Sequence, residues 1–186
     1  MMEVSVQKTP LQGLLLLTPP VYGDARGSLS ETYHAGKFKS LGVASTFAQD
    51  NQSVSAPGVL RGLHGQQGHP QAKLVRVLQG EVYDVAVDAR YGSKTYGQWY
   101  GHRLSGENGV QMYLPEGFLH GFCVLKGPAV VLYKCSTVYE PGNQVGVRWN
   151  DPDLAILWPL NDPILSPKDT VLPGFKSQSD TWRSWS

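Results

Sequence analysis

Short apolar or alternating segments, rich in Val, Tyr and Leu, follow one another through most of the chain between residues 74 and 149. Clusters of Gly, Pro, Asn and Ser separate them at roughly regular spacing, which is typical of an all-β barrel or sandwich. The predicted strands are Leu74–Leu78, Glu81–Asp88, Gln98–Leu104, Val110–Leu114, Gly121–Leu125, Ala129–Val138 and Gly146–Trp149. Helical turns are predicted only for Ala35–Leu41 and for the Pro-rich stretch after Asp162. We therefore expect an all-β fold with a few short helices.

The length fits one ordinary domain. Of 186 residues, 41% are hydrophobic, which is enough for a core without metal or disulfide support. No internal repeat or linker divides the chain, so residues 1–186 are predicted to form a single domain. An N-terminal arm of about residues 1–58 is predicted to contact a partner subunit, and its turns include Thr18-Pro19-Pro20. The polar tail of about residues 175–186 has two Trp that are expected to be solvent-exposed, which predicts disorder or packing on a partner.

Charge and cysteine content exclude several classes of protein. Charged residues make up 17% of the chain and the net charge is +1, which argues against binding to nucleic acid or a membrane surface. Cys123 and Cys135 lie in apolar runs, as expected for buried thiols in a reducing compartment. No basic region leads into a long apolar stretch near the N-terminus, so a cytoplasmic location is expected.

The segment GVQMYLPEGFLHGF carries the sharpest local motif. Its Gly109, Pro115, Gly117 and His120 fit G-x5-P-x-G-x2-H, the second signature of cupin-type double-stranded β-barrels. The Pro-x-Gly turn is expected to reverse the chain and to point His120 into the barrel mouth. The first cupin signature normally supplies two His and a Glu, whereas RGLHGQ holds only His64. Stable metal centres use three or four protein ligands, which favours a metal-free barrel with His64 as a base over a metal-dependent cupin.

Basic side chains accompany His64 in segments that are otherwise typical of barrel strands, namely Arg61, Lys73 and Arg76. Buried cations without carboxylate partners are costly, so their convergence indicates an anionic ligand. Arg61 and His64 have opposite parity along a strand and would face opposite sides of a regular sheet. Both can reach one site only if a bulge or strand end lies between them, and Gly62 is the expected position.

Eight ordered blocks connect the chain to a known family: VYGDARGSLSETY, FAQDNQS, VLRGLHGQ, QAKLVRVLQGEVYDVAVD, LPEGFLHGF, VLYKCSTVYEP, RWNDPDL and LSPKD. With them the chain resembles the dTDP-4-dehydrorhamnose 3,5-epimerase family from about Val4 to Asp169. The resemblance implies a jelly-roll barrel of the cupin type, a homodimer, and no metal or organic cofactor. It also implies epimerisation of a dTDP-4-keto-6-deoxyhexose at carbons 3 and 5, the carbons that flank the 4-keto group.

This chemistry needs a base on one face of the sugar, an acid on the other, and a cation at the carbonyl oxygen, where the enolate charge develops. By match to the family motifs, His64 in GLH is the base, since its ordinary pKa of about 6.5 suits that role. Asp169 in LSPKD matches the carboxylate that orients this His, and Tyr133 in LYK matches the opposite proton donor. Lys73 is expected to stabilise the enolate oxygen.

Further matches imply substrate-binding residues. Tyr22, Arg26 and Glu31 resemble the groups that hold the thymine nucleotide, often across the dimer. Gln49 and Asn51 fit hydrogen bonds to sugar or phosphate, and Arg61 serves the diphosphate or the enolate. The remaining matches are Tyr139, an aromatic residue near the sugar or base; His120, which lines the site; and Asp84, which lines the barrel.

Two departures from the family pattern leave the substrate open. Gly65 stands where an aromatic residue commonly follows the catalytic His, and Ser28 and Leu29 replace aromatics after the GDxRG turn. Both changes are expected to remove bulk near the sugar and base. Because relatives that invert only carbon 3 or only carbon 5 keep the same His, Asp and Tyr, a single-site epimerase remains an alternative. A metal-dependent cupin enzyme and a catalytically silent sugar-nucleotide-binding cupin are the others, and the acid–base set weighs against the silent one.

Overall fold

The computed structural model describes residues 3–43 and 46–185. Its strands are β1 (Ser5–Lys8), β2 (Leu15–Thr18), β3 (Tyr22–Asp24), β4 (Gly27–Leu29), β5 (Gln49–Ser55), β6 (Leu60–Gln66), β7 (Lys73–Asp88), β8 (Trp99–Ser105), β9 (Gln111–Leu114), β10 (Phe118–Cys135) and β11 (Gln144–Gly146). The helices are α1 (Ala35–Ser40) and α2 (Ser179–Arg183), with 3₁₀ turns at Pro141–Asn143, Asp169–Val171 and Lys176–Gln178. The predicted all-β class and the predicted first helix are confirmed.

Two long antiparallel strands, β7 and β10, form the centre of the main sheet and pair along nearly their whole length. The first half of β7 also pairs with β9 and its second half with β8. The first half of β10 pairs with β6 and its second half with β5. Strands β1 and β2 extend the sheet beyond β9, and β11 extends it beyond β6. Strands β5, β6, β8 and β9 therefore pair directly with β7 or β10, and the other strands of this sheet join through β6 and β9.

The two central strands were predicted as four shorter ones, and that prediction is wrong. Gly80, which separates the first pair of predicted strands, has a φ of +78° within a continuous β7. A Cβ there would collide with the carbonyl oxygen of Lys126, so only Gly lets the two strands cross so closely. The register shifts around Lys126 and Val130, so the strands bend without ending. The last predicted strand is also displaced, since β11 ends at Gly146.

Alternation along β7 divides the side chains between two layers. Val85 and Val87 join an outer cluster that includes Phe175 and Trp182. Val75 and Ala86 face the opposite side, with the inner cluster against which Tyr133 packs. A third cluster lies under α1, around Phe38. The inner layer therefore carries both core residues and the polar groups described below.

Parts of the N-terminal arm and of the C-terminal tail belong to the packed core of the chain. Strands β1, β2 and β5 belong to the main sheet, so these parts of the predicted arm are built into it. Only the β3–β4 hairpin forms a separate two-stranded sheet, and its contact with a partner stays a prediction. In the tail, Trp182 and Trp185 are buried against the outer cluster instead of exposed, because their rings cover the apolar face of β6 and β10.

Cys123 and Cys135 are buried and unbridged, as predicted. Across residues 3–43 and 46–185, no helix has the length and apolar character needed to cross a membrane. The cytoplasmic location stays a prediction from the sequence.

Candidate active site

Two adjoining cavities on the inner face of the sheet share His64, Lys73 and Tyr133. The cation-lined cavity, of about 200 Å³, is lined by Ser53, Arg61, His64, Lys73, His120, Gly121, Phe122, Tyr133, Ser166 and Asp169. The amide-lined cavity, of about 310 Å³, is lined by Gln49, Asn51, His64, Gly65, Gln66, Gln71, Lys73, Tyr133, Tyr139 and Gln144. Five strands of the sheet and one 3₁₀ turn therefore deliver polar groups to one place.

A bulge in β6 lets Arg61 and His64 face the same cavity, as predicted. His120 pairs with His64 and Phe122 with Arg61, so β6 holds one residue more than β10 between these two pairs. Gly62 lies at this point with a φ of +108°, and a Cβ there would collide with the backbone of His120 and Gly121. The bulge thus requires Gly at position 62.

His64 and Asp169 form the closest polar pair of the site. Asp169 Oδ1 lies 2.5 Å from His64 Nε2, although the two residues are 105 positions apart. An ionised carboxylate only accepts hydrogen bonds, so a neutral His64 donates its Nε2 proton to Asp169 and keeps the Nδ1 lone pair free. This geometry assigns Nδ1 as the nitrogen able to take a proton.

Asp169 is held in its charged form. Its side chain is only 4% exposed, and burial alone would raise its pKa. The hydrogen bond and positive charge of His64, with hydrogen bonds from Ser166 and from the Gly62 backbone, outweigh burial and lower the pKa below 3.8. The carboxylate is therefore ionised at neutral pH.

A second histidine–carboxylate pair lies beside the first. His120 Nε2 is 2.9 Å from Asp84 Oδ2, and both side chains are buried. The sequence placed Asp84 inside the barrel but gave it no partner. Because the Nε2 atoms of His64 and His120 both bond to carboxylates, neither is free to bind a metal ion. Within the described ranges, no group of three or more His, Cys, Asp or Glu is arranged to hold one.

Lys73 and Tyr133 line both cavities, as His64 does. Lys73 is buried, and desolvation lowers its pKa, while the nearby Cys135 and Asp84 oppose this shift. Its Nζ lies 6.0 Å from the centre of the Tyr133 ring. Burial raises the pKa of Tyr133 above 10, so its phenol is protonated at neutral pH and able to donate a proton.

The predicted binding residues divide into two groups. Gln49, Asn51 and Tyr139 line the amide-lined cavity, and Gln49 Oε1 accepts a hydrogen bond of 2.7 Å from the Tyr139 backbone. Arg61 lines the cation-lined cavity, where its Nε donates to Ser55 Oγ at 3.0 Å. The structure therefore places this first group beside the dyad, while the binding roles stay predictions.

The second group does not reach the cavities of its own chain. Tyr22, Arg26 and Glu31 lie on or near the exposed β3–β4 hairpin. The side chain of Arg26 is 90% exposed and pairs with Asp24, and Glu31 pairs with Lys37. Their predicted role in nucleotide binding needs a second subunit.

Two sequence expectations about the site are wrong, and a third stays untested. Gly65 does not open space in the cavity, because a Cβ there would point at Trp185 and Leu119 on the outer face. Arg76 has the opposite parity to Lys73 along β7 and lines neither cavity. Ser28 and Leu29 are exposed on the β3–β4 hairpin, and their expected effect on the space near the sugar and base stays a prediction.

Several lining residues were not predicted, namely Ser53, Gln66, Gln71, Phe122, Gln144 and Ser166. Strand alternation could have indicated Ser53, since Gln49, Asn51 and Ser53 share one face of β5. Ser166 could not be found this way. Its hydroxyl accepts a hydrogen bond of 3.1 Å from the Asp169 backbone, in a segment without strand periodicity.

A paired His, a protonated Tyr and a buried Lys around one cavity of an all-β barrel define an acid–base enzyme for carbon atoms next to a carbonyl group. The profile of the dTDP-4-dehydrorhamnose 3,5-epimerase family matches residues 8–177. The chain belongs to this family.

Individual relatives agree with this assignment. The dTDP-4-dehydrorhamnose 3,5-epimerase of Methanothermobacter thermautotrophicus is 49% identical over 91% of this chain and 93% of its own. A dTDP-4-dehydrorhamnose 3-epimerase of Streptomyces niveus is 43% identical over 86% of this chain and 78% of its own.

The solved structure of a dTDP-6-deoxy-D-glucose-3,5-epimerase from Legionella pneumophila, in complex with dTDP-4-keto-L-rhamnose, has a TM-score of 0.91 at 46% identity. It covers 94% of each chain. The similar epimerase from Elizabethkingia anophelis gives a TM-score of 0.91 at 47% identity, covering 96% of this chain and 100% of its own. The predicted cupin-type jelly-roll fold is confirmed.

Proposed function

We propose that this enzyme epimerises dTDP-4-keto-6-deoxyglucose at carbons 3 and 5 and forms dTDP-4-keto-L-rhamnose. The observation that carries the proposal is the 2.5 Å contact of His64 with Asp169 in a cavity that also holds Lys73 and Tyr133. The names of relatives at up to 52% identity and the ligand of the Legionella structure support the substrate.

Each inversion consists of one proton removal and one proton return. His64 Nδ1 takes the proton from the carbon next to the carbonyl, and the C–H electron pair becomes the enolate. Asp169 stabilises the imidazolium that forms, and Lys73 stabilises the negative oxygen. Tyr133 then gives a proton to the opposite face of the same carbon. No electron leaves the sugar, so the step needs no redox partner.

Substrate binding divides between the two cavities. Arg61 and Lys73 supply positive charge for the diphosphate and the enolate, and the amides of Gln49 and Asn51 supply hydrogen bonds to sugar or phosphate. His120 contacts the sugar from its place opposite His64 on β10. Tyr139 lies at the edge of the amide-lined cavity, where it packs against the sugar or base.

Incubation with dTDP-4-keto-6-deoxyglucose in deuterated water tests the proposal. NMR should show deuterium at both carbon 3 and carbon 5, and His64→Ala should abolish the exchange. Exchange at carbon 3 alone would instead establish the 3-epimerase reaction for which the Streptomyces niveus relative is named. Binding of the sugar nucleotide without any exchange would indicate a silent binding protein. Loss of activity after exhaustive chelation, restored by a divalent metal, would indicate the metal-dependent alternative.

The enzyme is further proposed to act as a homodimer in which the hairpin of one subunit completes the site of the other. The exposure of Arg26 on the separate β3–β4 sheet supports this, because in its own chain the residue is remote from the cavities. Tyr22 and Glu31 would bind the nucleotide with it.

Subunit mixing tests the shared site. His64→Ala and Arg26→Ala variants are each expected to be nearly inactive. After random exchange of subunits, half of the dimers contain one intact site, so about a quarter of wild-type activity should return. Mixtures without any recovery would contradict the shared site, and a monomer by light scattering would contradict the dimer.

A further inference from the structure

Gly65 lies directly behind the proposed base, and its missing side chain leaves a space that the C-terminal tail fills. Along β6, His64 faces the cavities, whereas a Cβ on Gly65 would point to the outer face. There it would lie 2.5 Å from Trp185 Cη2 and 3.0 Å from Leu119 Cδ2. A side chain at position 65 and the Trp185 ring therefore cannot occupy this space together.

The tail that carries Trp185 is fixed to the sheet at several points. The Phe175 backbone donates to Asp151 Oδ2 at 3.1 Å, and Trp182 Nε1 donates to the Phe175 carbonyl at 2.8 Å. The Trp182 ring stacks on Phe175 and meets Trp185 edge to face. Gln178 Nε2 donates to the Gly146 carbonyl at 2.8 Å, and Gly146 is the β11 residue that pairs with His64. The β11 partner of His64 is thus held by a hydrogen bond from the tail.

We propose that Trp185 is a positioning residue for His64. Strand β6 has no side chain of its own at position 65 to fix its outer face, and its neighbour β11 has only three residues. The Trp185 ring supplies the missing packing, and through it the tail holds His64 at the distance from Asp169 that proton transfer needs. Since a shift of about 1 Å at a reacting group can cost a factor of about 100 in rate, loss of this packing lowers the rate more than the binding. The inference rests on the proposed epimerase function.

Kinetics of Trp185→Ala test this role through the separation of kcat from KM. Removal of the ring is expected to lower kcat at least tenfold, while KM for dTDP-4-keto-6-deoxyglucose changes less than twofold, because Trp185 lines neither cavity. Asp180→Asn is the matched control, since this tail residue is 92% exposed and should leave both constants unchanged. A folded Trp185→Ala enzyme with wild-type kcat would overturn the proposal.

A double substitution gives a second, independent readout. Gly65→Phe alone should lower kcat and the melting temperature, because its ring competes with Trp185 for one space. Combined with Trp185→Ala, it should recover most of the lost kcat, since a ring again fills that space from the strand side. A double variant no better than either single one contradicts the proposal. If Trp185→Ala does not fold, Trp185→Phe takes its place, with a smaller loss expected. An inactive wild-type enzyme would instead refute the epimerase function itself.

Discussion

Replacement of Asp169 by Asn tests the dyad most directly, because it removes the charge and keeps the shape. The carboxylate is 4% exposed and lies 2.5 Å from His64 Nε2, so it makes a charge-assisted hydrogen bond in a largely dry place. Such bonds contribute about 1.5–3 kcal/mol. The contribution is larger when His64 is positively charged, so most of it appears in the transition state of proton removal.

The expected loss follows from this free energy. At about 1.36 kcal/mol for each factor of ten, Asp169→Asn should lower kcat roughly 10- to 150-fold. The Asn amide can also turn its N–H toward Nε2, which would place the ring proton on Nδ1 and deepen the loss. KM should change little, because Asp169 orients the base and the amides and Arg61 hold the substrate.

Single-turnover exchange in deuterated water, read at carbons 3 and 5 separately, is the assay. Both carbons should lose exchange to the same degree if one base serves both. Asp180→Asn, at an exposed carboxylate of the tail, is the control for the loss of one charge. A loss of kcat below threefold in a folded Asp169→Asn enzyme would refute the reasoning.

Three further substitutions probe other parts of the molecule. Tyr133→Phe removes the proton donor and should impair proton return more than first exchange, so that NMR detects a partly epimerised product; equal loss of both steps would argue against the acid role. Lys73→Gln should lower kcat about 10²- to 10³-fold, the usual effect of one lost donor at a developing oxyanion, and an unchanged kcat would remove Lys73 from the mechanism. For Asp88, burial by itself raises the pKa, but the hydrogen bonds from Arg90, Ser93 and Thr95 outweigh burial, and the net pKa lies below 3.8. Its ionised form therefore stabilises the fold above about pH 4, and this stability is lost as the pH falls through the lower folded pKa. Asp88→Asn should cost about 3 kcal/mol at pH 7 in urea unfolding and flatten the acid dependence, whereas an unchanged pH profile would contradict the network.

The predictable part of the site is the part on regular strands. Lys73 and Tyr133 lie on strands whose alternation was visible in sequence, and the parity conflict between Arg61 and His64 located the bulge at Gly62. Asp169 carried no such signal, because it lies in a 3₁₀ turn 105 residues from its partner. Only the family motif connected the two.

The failures share a physical cause. Gly80 was interpreted as a strand end, since local composition does not distinguish a turn from a bend in a long strand pair. Gly65 was assigned to the substrate site because His64 beside it faces that site, although the next residue along a strand faces the other side of the sheet. The tail was predicted from its mostly polar composition, which does not show that Trp182 and Trp185 pack on an apolar surface. Each outcome depends on which distant segment packs on the residue.

The pairing of β7 with β10 has a consequence for how the enzyme acquires its activity. Lys73 pairs with Cys135 across this ladder, and His64 must still meet Asp169 from beyond it. Contacts between residues so far apart in sequence form slowly, because a long loop must close before any of them is made. During synthesis, the base, the cation and the acid are already outside the ribosome while the carboxylate that orients the base is still to come. Full catalytic rate is therefore reached only when nearly the entire chain has been made, and a product truncated before Asp169 would exchange protons slowly.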